Sequence, residues 1–197
     1  MTIQAILFDM GGVIMRTDDQ TPRAKLAARL GLSYADLATQ VFSSDHSNRA
    51  QLGQISAGEF WAATSARYGM TPQAFIADFF RGDLIDRELV TAIRKLKARY
   101  KTGLLSNAFD DLRSWVEEWK FTDAFTTLVI SAEVKMMKPD PAIYAHALRQ
   151  LDVAPAAAVF IDDVPANIEA ARQAGMHGIL FASRQQALAE LQVLLEP

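Results

Sequence analysis

Four clusters of polar residues lie at or just beyond the ends of apolar runs: Asp9, Ser106-Asn107, Lys138 and Asp162-Asp163. If those ends share one edge of a parallel sheet, residues far apart in the chain converge in one cleft. Three carboxylates would then face each other, and burying them unpaired is costly. A divalent cation resolves the repulsion, and an oxygen-only donor set without His or Cys favours Mg²⁺. Lys138, the Ser106 hydroxyl and nearby backbone amides remain to hold a phosphate-like dianion. The chemistry this pattern suggests is metal-assisted phosphoryl transfer through an aspartyl intermediate at Asp9.

The elements that must position these groups follow from the apolar pattern. Residues 3–9, 102–106, 127–131, 157–162 and 177–181 are short apolar or β-branched runs, each followed by a helical pattern except near the end. Strands alternating with helices predict an α/β fold, a Rossmann-like parallel sheet flanked by helices. Asp9 then sits at the carboxyl end of the first strand, where open α/β sheets bind ligands. Residues 18–85 contain no convincing strand and offer helices over 21–30, 34–42, 57–68 and 72–80. Ser56 before Glu59 reads as a capping box, and Thr71-Pro72 as a cap with a first-turn proline. The expected organisation is a core of residues 1–17 and 86–197 with an all-helical insertion over 18–85. Asp140-Pro141 and Pro165 open two further helices whose amino ends face the cleft, which favours an anion there.

Composition narrows the class. Half of the 197 residues are hydrophobic and 22% charged, with net charge −3 and no cysteine. Disulfides, thiol catalysis and thiolate metal sites are excluded. No basic run suggests a nucleic-acid surface, and no apolar run reaches membrane-spanning length. The expectation is a soluble, cytoplasmic protein, a monomer or weak homodimer, acting on a small molecule without nucleic acid or membrane partners. Gly11-Gly12 is not a dinucleotide fingerprint, because no G-x-G-x-x-G follows and the preceding strand ends in an acid. His46, His146 and His177 are scattered and form no constellation.

Asp9-Met10-Gly11-Gly12-Val13, Ser106-Asn107, Lys138-Pro139 and Ile161-Asp162-Asp163 with Asn167 occur in the order seen in one family. The chain resembles haloacid dehalogenase superfamily hydrolases with a helical cap inserted after the first strand. It is similar to the α-glucose-1-phosphatase group and to the phosphatase-like amino-terminal region of soluble epoxide hydrolases. The resemblance implies that Asp9 attacks phosphorus and ligates Mg²⁺, and that the Gly11 carbonyl is a second ligand. It implies that Ser106 and the Asn107 amide bind phosphoryl oxygens and that Lys138 neutralises Asp9 and the phosphoryl group. Asp163 would complete the metal shell, with Asp162 ligating through water or orienting a ligand.

One position departs from the pattern. Family phosphatases usually carry a second aspartate two residues after the nucleophile, which protonates the leaving oxygen; here it is Gly11. General acid–base catalysis contributes roughly 10²–10⁴-fold, so the substitution matters. A good leaving group such as a sugar 1-phosphate or acyl phosphate, a donor from the insertion or water, or loss of turnover would each accommodate it. Asp18 and Asp19 lie in the expected hinge. Arg49, in a polar stretch over 43–51, is a candidate substrate contact. Phe60, Trp61, Phe79 and Phe80 read as the insertion's own core, one of them able to line the cleft. Asn167 reads as fixing its loop. The expected function is a Mg²⁺-dependent phosphatase of a small phosphorylated metabolite, with a 2-haloacid dehalogenase or a weakly catalytic ligand-binding protein as alternatives. Dehalogenases of this family carry tyrosine where Gly11 stands and need no metal.

Overall fold

The structure is a computed structural model and describes residues 2–196. In chain order the elements are β1 (Ala5–Phe8), β2 (Met15–Thr17), α1 (Thr21–Arg29), α2 (Tyr34–Phe42), α3 (Asp45–Gln51), α4 (Ala57–Ala66), α5 (Pro72–Phe80) and β3 (Asp83–Ile85). There follow α6 (Arg87–Lys97), β4 (Lys101–Ser106), α7 (Leu112–Glu118), β5 (Thr127–Ile130), α8 (Ser131–Val134) and α9 (Pro141–Leu151). The chain then forms β6 (Ala158–Asp162), α10 (Pro165–Gln173), β7 (His177–Leu180) and α11 (Arg184–Leu195).

Five strands form one parallel sheet in the order β5-β4-β1-β6-β7. β1 is central and wholly buried because both of its faces are covered, which is why its sequence is continuously apolar. Side chains alternate across it: Ile6 and Phe8 pack with Leu104 and Ile161 on one face, Ala5 and Leu7 with Leu105 and Phe160 on the other. The first face is covered by α6, α7 and α11 through Val90, Val116 and Leu191, the second by α9 and α10 through Tyr144 and Ile168. Strand order reverses at β1, so the carboxyl ends of β1, β4 and β6 surround a crevice.

The helices α1 to α5 have a separate apolar core in which Leu26, Leu37, Phe60, Phe75 and Phe79 are almost completely buried. Their boundaries follow local chemistry. Ser33, Ser44, Ser56 and Thr71 accept from backbone N–H groups of the first turns of α2, α3, α4 and α5, and Ser56 with Glu59 closes a full capping box.

Two features of this region differ from the sequence reading. β3 lies inside the stretch that showed no strand, pairing antiparallel with β2 through Met15 opposite Ile85 and Thr17 opposite Asp83. Three residues carry too little periodicity to reveal a strand, and ion pairs flank this two-stranded ribbon at its ends. Arg23 Nη2 donates to both oxygens of Asp83 at 3.0 and 2.7 Å, while Arg16 and Arg184 reach Asp86 at 2.9 and 2.6 Å. The second difference is α3, which occupies the polar stretch over 43–51 for which no helix was expected. Its buried side chains are Ser47, Ala50 and Gln51, so no apolar stripe marks it. Ser47 and Gln51 instead bond the carbonyls of Val41 and Phe42 that end α2.

Candidate active site at the carboxyl edge of the sheet

Asp9 follows β1 directly, and its backbone N–H still donates to Ile161 of β6. The carboxylate is therefore aimed by the last rung of the sheet. Asp9 Oδ1 accepts from the Met10 N–H at 2.7 Å and lies 2.9 Å from Lys138 Nζ. Lys138 Nζ also donates to Asp162 Oδ2 at 2.6 Å. All three side chains are buried, that of Lys138 to 1% exposure. A buried ammonium between two carboxylates is well compensated, and the Phe160 ring lies 5.2 Å from it.

Asn107 and Asn167 fix this pair from outside. The Asn107 side chain donates to the Lys138 carbonyl and accepts from its N–H, at 2.9 and 2.8 Å, which locks the main chain of the Lys138 loop. Its carboxamide is thus committed to Lys138 and not free for a ligand, a role the sequence did not reveal. Asn167 donates to both oxygens of Asp162, and the Val164 N–H donates to Oδ1 at 2.7 Å. With Lys138, four donor contacts hold Asp162. Tyr144 hydrogen-bonds the Asn167 carbonyl at 2.9 Å, and burial raises its phenol further above the ordinary range.

Asp163 has the opposite character. It is exposed, and its carboxylate lies against the backbone of Gly12, where a Cβ would come within 2.1 Å of Oδ2. Gly12 also has φ of 75°, so glycine is needed for conformation and for space. One carboxylate oxygen from each of Asp9, Asp162 and Asp163 lies within 4.8 Å of the others. Burial pushes the Asp9 carboxyl up to about 6, with Lys138 opposing that shift and Asp162 adding to it. Burial and then Asp162 raise the Asp163 carboxyl as well. Carboxylates that resist ionisation together are the expected signature of a site built for one more cation.

Ser106 ends β4 in a buried position beside this cluster. Gly11 has nothing within 4 Å of the place a Cβ would occupy, so it opens onto space. That space is a cavity of about 160 Å³ walled by Gly11, Ser106 and Asn107 at one end and by aromatic side chains elsewhere. Trp61 and Phe80 from the helical block line it, whereas Phe60 and Phe79 are fully buried within the block's core. Trp115 and Trp119 of the α7 region were missed from sequence. Asp111, Trp115 and Trp119 recur every four residues, which places one polar and two aromatic groups on a single helix face. Arg49 is exposed on α3, does not line the cavity, and acts electrostatically on Glu59 and His46.

Comparisons with known proteins agree with this architecture. The chain is 29% identical to a sesquiterpene phosphatase of Aspergillus oryzae, across 98% of this chain and 97% of that protein. It is 28% identical to a D-ribitol-5-phosphate phosphatase of Bacteroides thetaiotaomicron, across 88% and 89%. Its fold matches that of a haloacid dehalogenase family enzyme from the same bacterium, solved as a magnesium complex, with TM-score 0.79 at 22% identity across 96% and 99% of the two chains. The family model described as haloacid dehalogenase-like hydrolase matches residues 3–175, which include Asp9, Lys138, Asp162 and Asp163. The chain belongs to the haloacid dehalogenase-like hydrolases.

Proposed function

We propose that this chain is a Mg²⁺-dependent phosphatase of a small phosphorylated metabolite, working through a phosphoryl-aspartate at Asp9. The observation that carries the reading is the buried Asp9–Lys138–Asp162 chain, 2.9 and 2.6 Å between partners, with Asp163 in reach of the same point. Three carboxylates share one lysine, so a net negative charge is left over at a point lined only by oxygen donors. That set fits Mg²⁺, held by Asp9, the Gly11 carbonyl and Asp163, with Asp162 in support. When bound, the ion screens the charge between nucleophile and phosphoryl oxygens.

The residues then have distinct work. Asp9 attacks phosphorus, and the bond from phosphorus to the ester oxygen breaks with its electron pair on that oxygen. Lys138 holds Asp9 ionised and in place while pairing with a phosphoryl oxygen. Ser106 and the Asn107 backbone amide bind the other phosphoryl oxygens. Asp162 and Asn107 position Lys138. Gly11 has no acid to give, so the leaving oxygen takes its proton from water. Water then attacks the phosphoryl-aspartate, releasing phosphate and regenerating Asp9. Helices α1 to α5, in the insertion 18–85, act as a cap over the 1–17 and 86–197 core, excluding bulk water.

Relatives whose names specify phosphatases support the reaction class, and their substrates range from a polyol phosphate to a sesquiterpene. A dehalogenase needs no metal, so a third carboxylate, Asp163, gathered with Asp9 and Asp162 speaks against that reading. The test is phosphate release from p-nitrophenyl phosphate with Mg²⁺, lost on chelation and in Asp9→Asn. Undiminished turnover by that variant would refute the assignment.

A further inference from the structure

The cavity beside Gly11 speaks to the organic half of the substrate. Its wall is formed mainly by Met15, Trp61, Phe80, Phe109, Trp115 and Trp119, contributed by both the helical block and α7 with its flanks. Polar side chains are few: Gln51, Ser106, Asn107 and Asp111. The Asn107 carboxamide is bonded to Lys138, and the Gln51 amide donates to Phe42 and Ser47. Among the described residues, the one buried side-chain polar atom of this wall without a partner is the Trp61 indole nitrogen. A polyol placed here would bury several hydroxyls against aromatic carbon, with little beyond the Ser106 hydroxyl and the Asp111 carboxylate to bond them. Gly11, two residues after the nucleophile, lines this cavity together with Ser106, and no atom lies within 4 Å of the place a Gly11 Cβ would take.

Resting on the phosphatase reading, we propose that the substrate is the phosphate monoester of a compact apolar alcohol, not the sugar 1-phosphate that the family resemblance implies. The cavity, open on one side, holds about 160 Å³. An apolar protein cavity of roughly 150 Å³ takes one benzene molecule, so the organic part is a single ring or a branched chain of like volume. The phosphoryl group lies among Asp9, Ser106 and Lys138, and the apolar group stacks on Phe80, Trp115 and Trp119.

The test is steady-state kinetics with Mg²⁺ on cyclohexyl phosphate, ribitol 5-phosphate and glucose 1-phosphate, with acetyl phosphate as a probe too small to use the aromatic wall. Cyclohexyl and ribitol esters are both alkyl phosphates, so the comparison isolates binding of the organic part. We expect kcat/KM for cyclohexyl phosphate to exceed that for ribitol 5-phosphate by about 10²-fold or more. Phe80→Asn and Trp115→Gln, at half-buried positions, should each lower the cyclohexyl-to-acetyl ratio about 10-fold. Equal or better turnover of either sugar phosphate overturns the proposal. So does a ratio that neither variant moves. If acetyl phosphate is also inert, the phosphatase reading falls and takes this one with it.

Discussion

Gly11→Asp offers a test in which activity is gained. No atom lies within 4 Å of the position its Cβ would take, so the new side chain displaces no neighbour. The carboxyl would stand at the rim of an apolar cavity two residues from Asp9, where the like charge of the carboxylate cluster favours keeping a proton on it. A protonated carboxyl there can donate to the leaving oxygen. General acid catalysis is worth roughly 10²–10⁴-fold, or about 3–5 kcal/mol of barrier. The lower end applies, because the new carboxylate also competes for the cation. An alkyl phosphate such as cyclohexyl phosphate should therefore gain about 10²-fold in kcat. p-Nitrophenyl phosphate, whose leaving oxygen is stable as an anion, should change little. The readout is the ratio of alkyl to aryl turnover at pH 6–7, with Mg²⁺ affinity and thermal stability measured alongside. An unchanged ratio in a folded, Mg²⁺-binding variant would refute the claim that Gly11 marks a missing acid.

Three further perturbations follow from the packing. Lys138→Met leaves Asp9 and Asp162 buried without their shared counter-ion, and breaking such a pair costs about 3–5 kcal/mol. Urea denaturation at pH 7 without divalent ions should show that loss; one below about 1 kcal/mol, the range of an exposed pair, would contradict the geometry. Gly12→Ala forces a positive φ and drives a Cβ into the Asp163 carboxylate, so Mg²⁺ affinity by calorimetry should fall by at least about 10-fold. Asp86→Ala removes the carboxylate that binds Arg16 and Arg184. Burial works against its ionisation, but the Leu89 N–H and the two guanidinium groups prevail and hold its pKa below the ordinary 3.8. A depressed folded-state pKa adds stability above pH 4 that is lost as pH falls through the folded value. The gap between wild type and Asp86→Ala, seen by urea titration, should be full at pH 6–7 and shrink below pH 4. A gap constant down to pH 3 would assign it to packing alone.

Much of the sheet was readable because burial on both faces forces apolar runs, and a carboxylate ending such a run is hard to explain otherwise. Asp9, Ser106 and Asp162 come together because β1, β4 and β6 are neighbours whose tips share an edge, and Lys138 joins them from the loop between α8 and α9, held by Asn107. What stayed hidden has physical causes. α3 is held by a Ser44 cap and by Ser47 and Gln51 bonding to α2, a polar logic that leaves no apolar stripe. β3 is too short for alternation to register. The Asn107 clamp on Lys138 spans 31 residues, and no local pattern encodes such a contact. Trp115 and Trp119 look like ordinary packing residues until the fold sets α7 beside Gly11.

The most direct measurement is chemical trapping of the enzyme during turnover. The protein is mixed with Mg²⁺ and p-nitrophenyl phosphate, quenched in acid within milliseconds, and its peptides weighed by mass spectrometry. The account predicts one phosphoryl group on the peptide that carries Asp9 and none in Asp9→Asn. Steady phosphate release with that peptide unmodified at every quench time would contradict it.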